Sequence, residues 1–148
     1  MDKQGVAVAA TVVAGGFIAL QAPINAGLGG KVGKLPAATV SFTIGTIVLI
    51  AITLLFAGGF GNVGEARHLS WYYLLGGVLG AIYVTTALIA VRTLGAGGVT
   101  AATIAGQLAM SVTLDKLGVL GLAQRDITPT RLAGMVLLAA GTFLVVAK

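Results

Sequence analysis

Between Lys3 and Lys31 the chain carries no charged residue, and further long uncharged stretches run up to Glu65, Arg92, Asp115 and Lys148. About 20 apolar residues, each rising 1.5 Å, are needed to cross the roughly 30 Å of hydrocarbon in a bilayer. Stretches of this length leave little besides helices as an option, because a backbone in lipid must satisfy its own hydrogen bonds. Composition agrees, with 57% of the 148 residues hydrophobic and 9% charged, where a soluble domain carries about a quarter charged. The expected architecture is all-α: an integral membrane helical bundle, with residues 1–148 forming a single transmembrane domain.

Five transmembrane helices are predicted, over about 5–26, 35–56, 71–91, 97–114 and 129–147. The first is expected to stop at the Gly27, Gly29, Gly30 cluster, and Pro36 suits the first turn of the second. The loop from Gly58 to His68 is the most loop-like part of the chain, and Trp71, Tyr72 and Tyr73 form an aromatic belt where the third helix enters. Gly95 to Gly98 make a tight turn into the fourth, and Pro129 opens the fifth. Only sixteen residues separate Arg131 from Lys148, so that last span needs Thr128 to Thr130 and snorkelling to cross. Lys3 followed by an Ala/Val-rich run has the outline of a secretory leader. Its uncharged run extends from Gln4 to Gly30, however, and more such runs follow, so it reads as a retained span.

The chain has no cysteine, one histidine and four acids. Disulfides and thiolate metal sites are therefore excluded, and most hydrolytic or metal constellations with them. No phosphate loop or catalytic triad is present, His68 lies in a loop, and neither an enzyme nor a cofactor is expected. The net charge of +5 comes from cations scattered singly between apolar runs, which fits lipid headgroups rather than nucleic acid. With five spans, Lys3, Arg67, Lys116, Arg125 and Arg131 fall on one side of the membrane and Lys31, Lys34, Arg92 and Lys148 on the other. Lys/Arg asymmetry sets orientation, and here it is nearly absent. Two readings compete: dual insertion with assembly as an antiparallel pair, or a single orientation that the count does not assign.

Polar residues inside the spans mark candidate sites, since a polar side chain in lipid needs a partner or a wet cavity. Gln21 and Asn25 stand four apart on one helix face, and Pro23 between them withholds an N–H from the carbonyl of Ala19, so the face is read as lining something and Pro23 as a bend. On the fourth span Thr103, Gln107, Ser111 and Asp115 recur at every fourth position as a polar stripe expected to face inward, toward Gln21 and Asn25. Asp115 is the one candidate for proton or ion coupling, although its neighbour Lys116 suggests a solvated pair at the membrane edge. Thr39, Thr43, Thr46 and Thr53 on the second span return hydroxyls to their own backbone and read as packing. Gly76 and Gly80 form a close-approach face beside Tyr83, itself either a core hydroxyl or a cavity wall. Gly134, Leu138, Gly141 and Val145 make a smooth seam on the fifth span, an association surface.

The runs Gly16-Phe-Ile-Ala-Leu-Gln-Ala-Pro-Ile-Asn25, Leu35-Pro-Ala-Ala-Thr-Val-Ser-Phe-Thr-Ile-Gly45, Leu74-Leu-Gly-Gly-Val-Leu-Gly-Ala-Ile-Tyr-Val84, Ala105-Gly-Gln107 and Asp115-Lys-Leu-Gly-Val-Leu-Gly121 together resemble the YdcZ-like family of small membrane proteins, within the drug/metabolite transporter superfamily. The resemblance implies a multi-pass protein of the bacterial inner membrane, built as a five-helix unit in an antiparallel dimer with itself or a paralogous chain. It also implies a transporter, with Gln21, Asn25, Ser41, Tyr83 and Gln107 at the pore; Ser111 joins them from the stripe. The related small multidrug resistance exporters carry a glutamate in the first of four helices, whereas here that span has no acid. Amides and hydroxyls suit a neutral or zwitterionic solute, or a weakly held ion. The leading expectation is alternating access in a dimer; the alternatives are a passive channel with antiparallel subunits and a non-transporting scaffold or heteromer subunit.

Overall fold

The computed structural model describes residues 2–147; Lys148, counted above among the cations, lies outside them. Four α-helices and two 3-10 turns make up the described residues, with no strand: α1 (Lys3–Val32), α2 (Lys34–Phe56), turns at Val63–His68 and Trp71–Leu74, α3 (Leu75–Leu117) and α4 (Pro129–Val146). All four helices are long and apolar enough to cross a membrane. As one straight rod, the 43 residues of α3 would reach about 65 Å, twice the bilayer core. Gly95, at φ 71° and ψ 169°, breaks it, a backbone conformation open essentially to glycine alone. Roughly one membrane-length stretch lies on each side of that residue.

Several boundaries differ from expectation for local reasons. Helix α1 runs through Gly27, Gly29 and Gly30, six residues past the expected stop at Ala26. Glycine lowers helix propensity but does not end a helix unless it turns left-handed. The residue that does so is Gly33, whose φ is 94° and whose N–H donates to the Gly29 carbonyl at 3.1 Å. At the other end, Asp2 caps α1 by accepting the Gly5 N–H at 2.7 Å. The third helix begins at Leu75 rather than Trp71. Ser70 makes no side-chain cap there, and three consecutive aromatics are poor helix starters; the Tyr72 and Tyr73 rings instead lie 4.6 Å apart. The turn expected over Gly95–Gly98 shrinks to Gly95 alone.

Contacts divide the chain into two compact units, one ending at Arg92 and one beginning at Thr93. In the first, the single residue Gly33 joins α1 to α2, and the two helices pack together. The core is built from small residues: Ala22, Ala26, Ala37 and Ala38 are buried, together with Val84, Ala87, Leu88 and Val91 of α3. Gly29 marks the meeting point, since a Cβ there would lie 3.7 Å from both the Ala37 side chain and Leu88. Without a hydrophobic drive between helices in lipid, close approach over small residues is the main source of attraction. Arg92 ties the same bundle by donating from its guanidinium to the Ala26 carbonyl at 2.9 Å, and it passes Gly30 so closely that a Cβ there would be 2.7 Å from the nitrogen.

In the second unit α4 runs antiparallel to the part of α3 that follows Gly95. Three ties at constant register establish this. Arg131 faces Asp115 at 3.2 Å, the Thr142 hydroxyl donates to the Ala101 carbonyl at 3.2 Å, and Val146 lies 3.7 Å from where a Gly98 Cβ would sit. Thr128 caps α4 by accepting the Arg131 N–H at 3.2 Å, and Pro129 occupies the first turn. Outside these contacts the helices present large apolar side chains, among them Leu55, Phe56, Leu137 and Leu144, the surface expected of a chain whose solvent is acyl chain.

Candidate functional site

On α1 the buried residues Ala22, Asn25 and Ala26, with half-buried Gly29, define one arc of the helix. At about 100° per residue, Asn25 falls on the edge of that arc and Gln21 a further 40° outside it. Accordingly Asn25 is 5% exposed while Gln21 lies on the surface, so the two amides share a side of the helix but not an environment. The Asn25 Nδ2 is fully enclosed and has no hydrogen-bond partner. An amide so placed costs about 1–3 kcal/mol against a satisfied one. Pro23 sits between them within a helix that remains continuous from Lys3 to Val32.

Ser41 is half-buried on the side of α2 that carries Ala37 and Ala38. Tyr83 is half-buried too, its ring packed on the cluster of Ala38, Val84 and Leu88. An adjoining side of α2 that shares Ala38 borders a groove of about 530 Å³ that the sequence reading passed over, lined also by Leu35, Phe42 and Thr46 of α2 and by Ala81 and Thr85 of α3, among others. None of Gln21, Asn25, Ser41 or Tyr83 lines it. Its signal was present in the Thr39, Thr43, Thr46 spacing. The packing interpretation nevertheless describes two of these hydroxyls: Thr39 donates to the Leu35 carbonyl at 3.1 Å and Thr43 to the Thr39 carbonyl at 2.9 Å. Those residues therefore offer methyl groups to the groove. Gly80 accommodates the Phe42 ring, 3.4 Å from where its Cβ would be, whereas Gly76 meets nothing within 4 Å.

In the second unit the stripe is a spiral rather than a face. Each step of four residues advances about 40° around a helix, so Thr103, Gln107, Ser111 and Asp115 drift steadily. Gln107 and Ser111 are exposed and Asp115 is half-buried against α4. The pairing expected between Asp115 and Lys116 is replaced by two others. Asp115 faces Arg131 at 3.2 Å, with side chains 27% and 35% exposed, and Lys116 reaches Asp126 at 3.4 Å. Neighbours in sequence point about 100° apart on a helix, so Lys116 cannot follow Asp115 toward α4. The α4 side that meets α3 carries Arg131, Thr142 and Val146, with Met135 and Leu138 half-buried along it. Gly134 and Gly141 meet nothing within 4 Å. Among the described residues no group of His, Cys, Asp and Glu is placed to hold a metal ion.

A family model described as "Putative inner membrane exporter, YdcZ" matches residues 6–144 of the chain. Comparison with curated proteins and with solved structures finds no match.

Proposed function

Because the chain belongs to the family described as "Putative inner membrane exporter, YdcZ" and is a multi-pass membrane protein, we propose that it exports a small polar, neutral or zwitterionic solute by alternating access as an antiparallel dimer. One observation carries the reading: Asn25 keeps an enclosed, unpartnered amide nitrogen in an otherwise apolar bundle. Such a group is costly in lipid and is retained where a ligand completes it. Gln21, Gln107 and Ser111 are polar, exposed on the chain and flanked by apolar surface, a combination suited to a wet cavity shared between two copies. In this mechanism Asn25 and Gln21 hold the solute by hydrogen bonds, Gln107 and Ser111 contribute further polar groups, and Ser41 and Tyr83 border the path. The near-equal cation count on the two sides supports dual insertion. In a two-fold antiparallel pair, inward-open and outward-open forms are one asymmetric arrangement with the subunit roles exchanged. The Pro23 site, lacking one backbone bond, is where α1 would bend.

The test separates a solute-binding amide from a structural one. Asn25→Leu removes the enclosed polar group, so the purified protein should be as stable as the parent or more so. Efflux from proteoliposomes loaded with labelled sugars and zwitterionic amino acids should nevertheless fall about tenfold for the solute carried, the worth of one good hydrogen bond. Unchanged efflux with Asn25→Leu and with Gln21→Ala would remove the assignment.

A further inference from the structure

The segment joining α3 to α4 follows Asp115 and Lys116 and carries Arg125 and Asp126. Besides these charges it carries exposed apolar residues: Leu117, Val119, Leu120, Leu122 and Ile127 are between 42% and 62% exposed. The backbone that displays them is tightly curled, with Gly118 at φ 61°, Leu120 at φ 59° and Gly121 at φ 80°. Leu120 is the one non-glycine at positive φ among the described residues, in a region that a leucine enters only against strain. Three backbone hydrogen bonds hold the curl: Gly118 N–H to the Leu114 carbonyl at 2.9 Å, Leu122 N–H to the Val119 carbonyl at 3.1 Å, and Arg125 N–H to the Asp115 carbonyl at 2.8 Å. Gly118 fits against Gln124, whose Cβ would be 2.9 Å from any Cβ placed on the glycine.

We propose that this loop is an interfacial anchor, its leucines and valine inserted among lipid headgroups and upper acyl chains while Arg125 meets an anionic headgroup. Two arguments select the bilayer as the occupant. The loop is continuous with two membrane-length helices, α3 ending at Leu117 and α4 beginning at Pro129, so lipid lies within reach of its side chains. Charge is complementary as well. Lys116 and Asp126 neutralise one another at 3.4 Å, and the Arg125 side chain has no partner among the described residues, leaving a cation for an anionic headgroup. An anchor here also serves α4, whose 18 residues span about 27 Å, slightly less than the bilayer core.

The chain has no cysteine, so Leu120→Cys and Gln124→Cys can each carry one spin label on the full-length protein in vesicles. Collision with lipid-soluble oxygen and with a water-soluble nickel chelate then reports depth. The anchor predicts a severalfold higher oxygen-to-chelate ratio at position 120 than at 124, and a larger ratio at 120 in phosphatidylglycerol vesicles than in phosphatidylcholine, the difference shrinking with Arg125→Gln. Equal, chelate-dominated collision at both positions would overturn it, as would shielding of position 120 from both reagents, which means a protein covers the loop. Leu122→Cys is the second reporter if Leu120→Cys does not fold. The result is independent of which solute is moved.

Discussion

The unit ending at Arg92 packs alanines and glycines of α1 and α2 around Leu88, whereas the unit beginning at Thr93 holds α4 to α3 through an ion pair, one threonine hydroxyl and a few valines. Leu88 is 1% exposed and Ala37 fully enclosed. In the second unit the buried apolar residues are Val99 and Val112. The first unit gains from the close approach of smooth surfaces, which requires shape and tolerates little change. The second gains from directional polar ties, each worth less and each replaceable. Each unit also holds an enclosed nitrogen without a hydrogen-bond partner, the Asn25 Nδ2 in the first and an Arg131 Nη1 in the second, but the latter has a counter-charge beside it, Asp115 at 3.2 Å.

If that contrast is right, substitutions should differ in cost by unit. The largest effect belongs to Leu88→Ala, expected to destabilise by about 3 kcal/mol through a cavity between closely packed helices, read as unfolding equilibrium in micelles; a loss below about 1 kcal/mol would mean that the first unit is not rigidly packed. An intermediate effect is expected at the ion pair. Because Asp115 and Arg131 are 27% and 35% exposed, a double-mutant cycle with Asp115→Asn and Arg131→Gln should return a coupling of about 1 kcal/mol, between surface and buried values. A coupling near that of a fully buried pair would make the second unit as dry as the first. The smallest is Thr142→Val, which removes the bond to Ala101 and should cost about 0.6 kcal/mol, the average for hydrogen bonds between membrane helices. A much larger loss at this position would show that α4 hangs on that one tie.

The same helical arithmetic explains where reading the sequence succeeded and where it fell short. Length and absence of charge located the helices, because a bilayer imposes both. Boundaries slipped where glycine was read as a stop: Gly27, Gly29 and Gly30 stay helical, and Gly33 ends α1 by taking φ 94°, a choice that residue type does not dictate. Polar spacing identified real sides of helices but treated a four-residue repeat as a straight line. The 40° drift per step leaves Gln21 outside the arc that buries Asn25 and turns Asp115 toward Arg131 while Gln107 stays exposed. No local signal announces which turn of such a spiral meets a neighbour.

What the sequence determined by itself is the solvent and the class of fold. Charge-free runs long enough to cross hydrocarbon can persist only as helices that satisfy their own backbones, and the family follows from residues spread along nearly the whole chain. What the tertiary structure alone decided is partnership: that Asn25 is enclosed without a partner, that Asp115 faces Arg131 instead of Lys116, and that an apolar curl projects between α3 and α4. The reason is that burial depends on how two helices are rotated about their axes, and rotation is set by the fit between surfaces from distant parts of the chain, not by the spacing within either one.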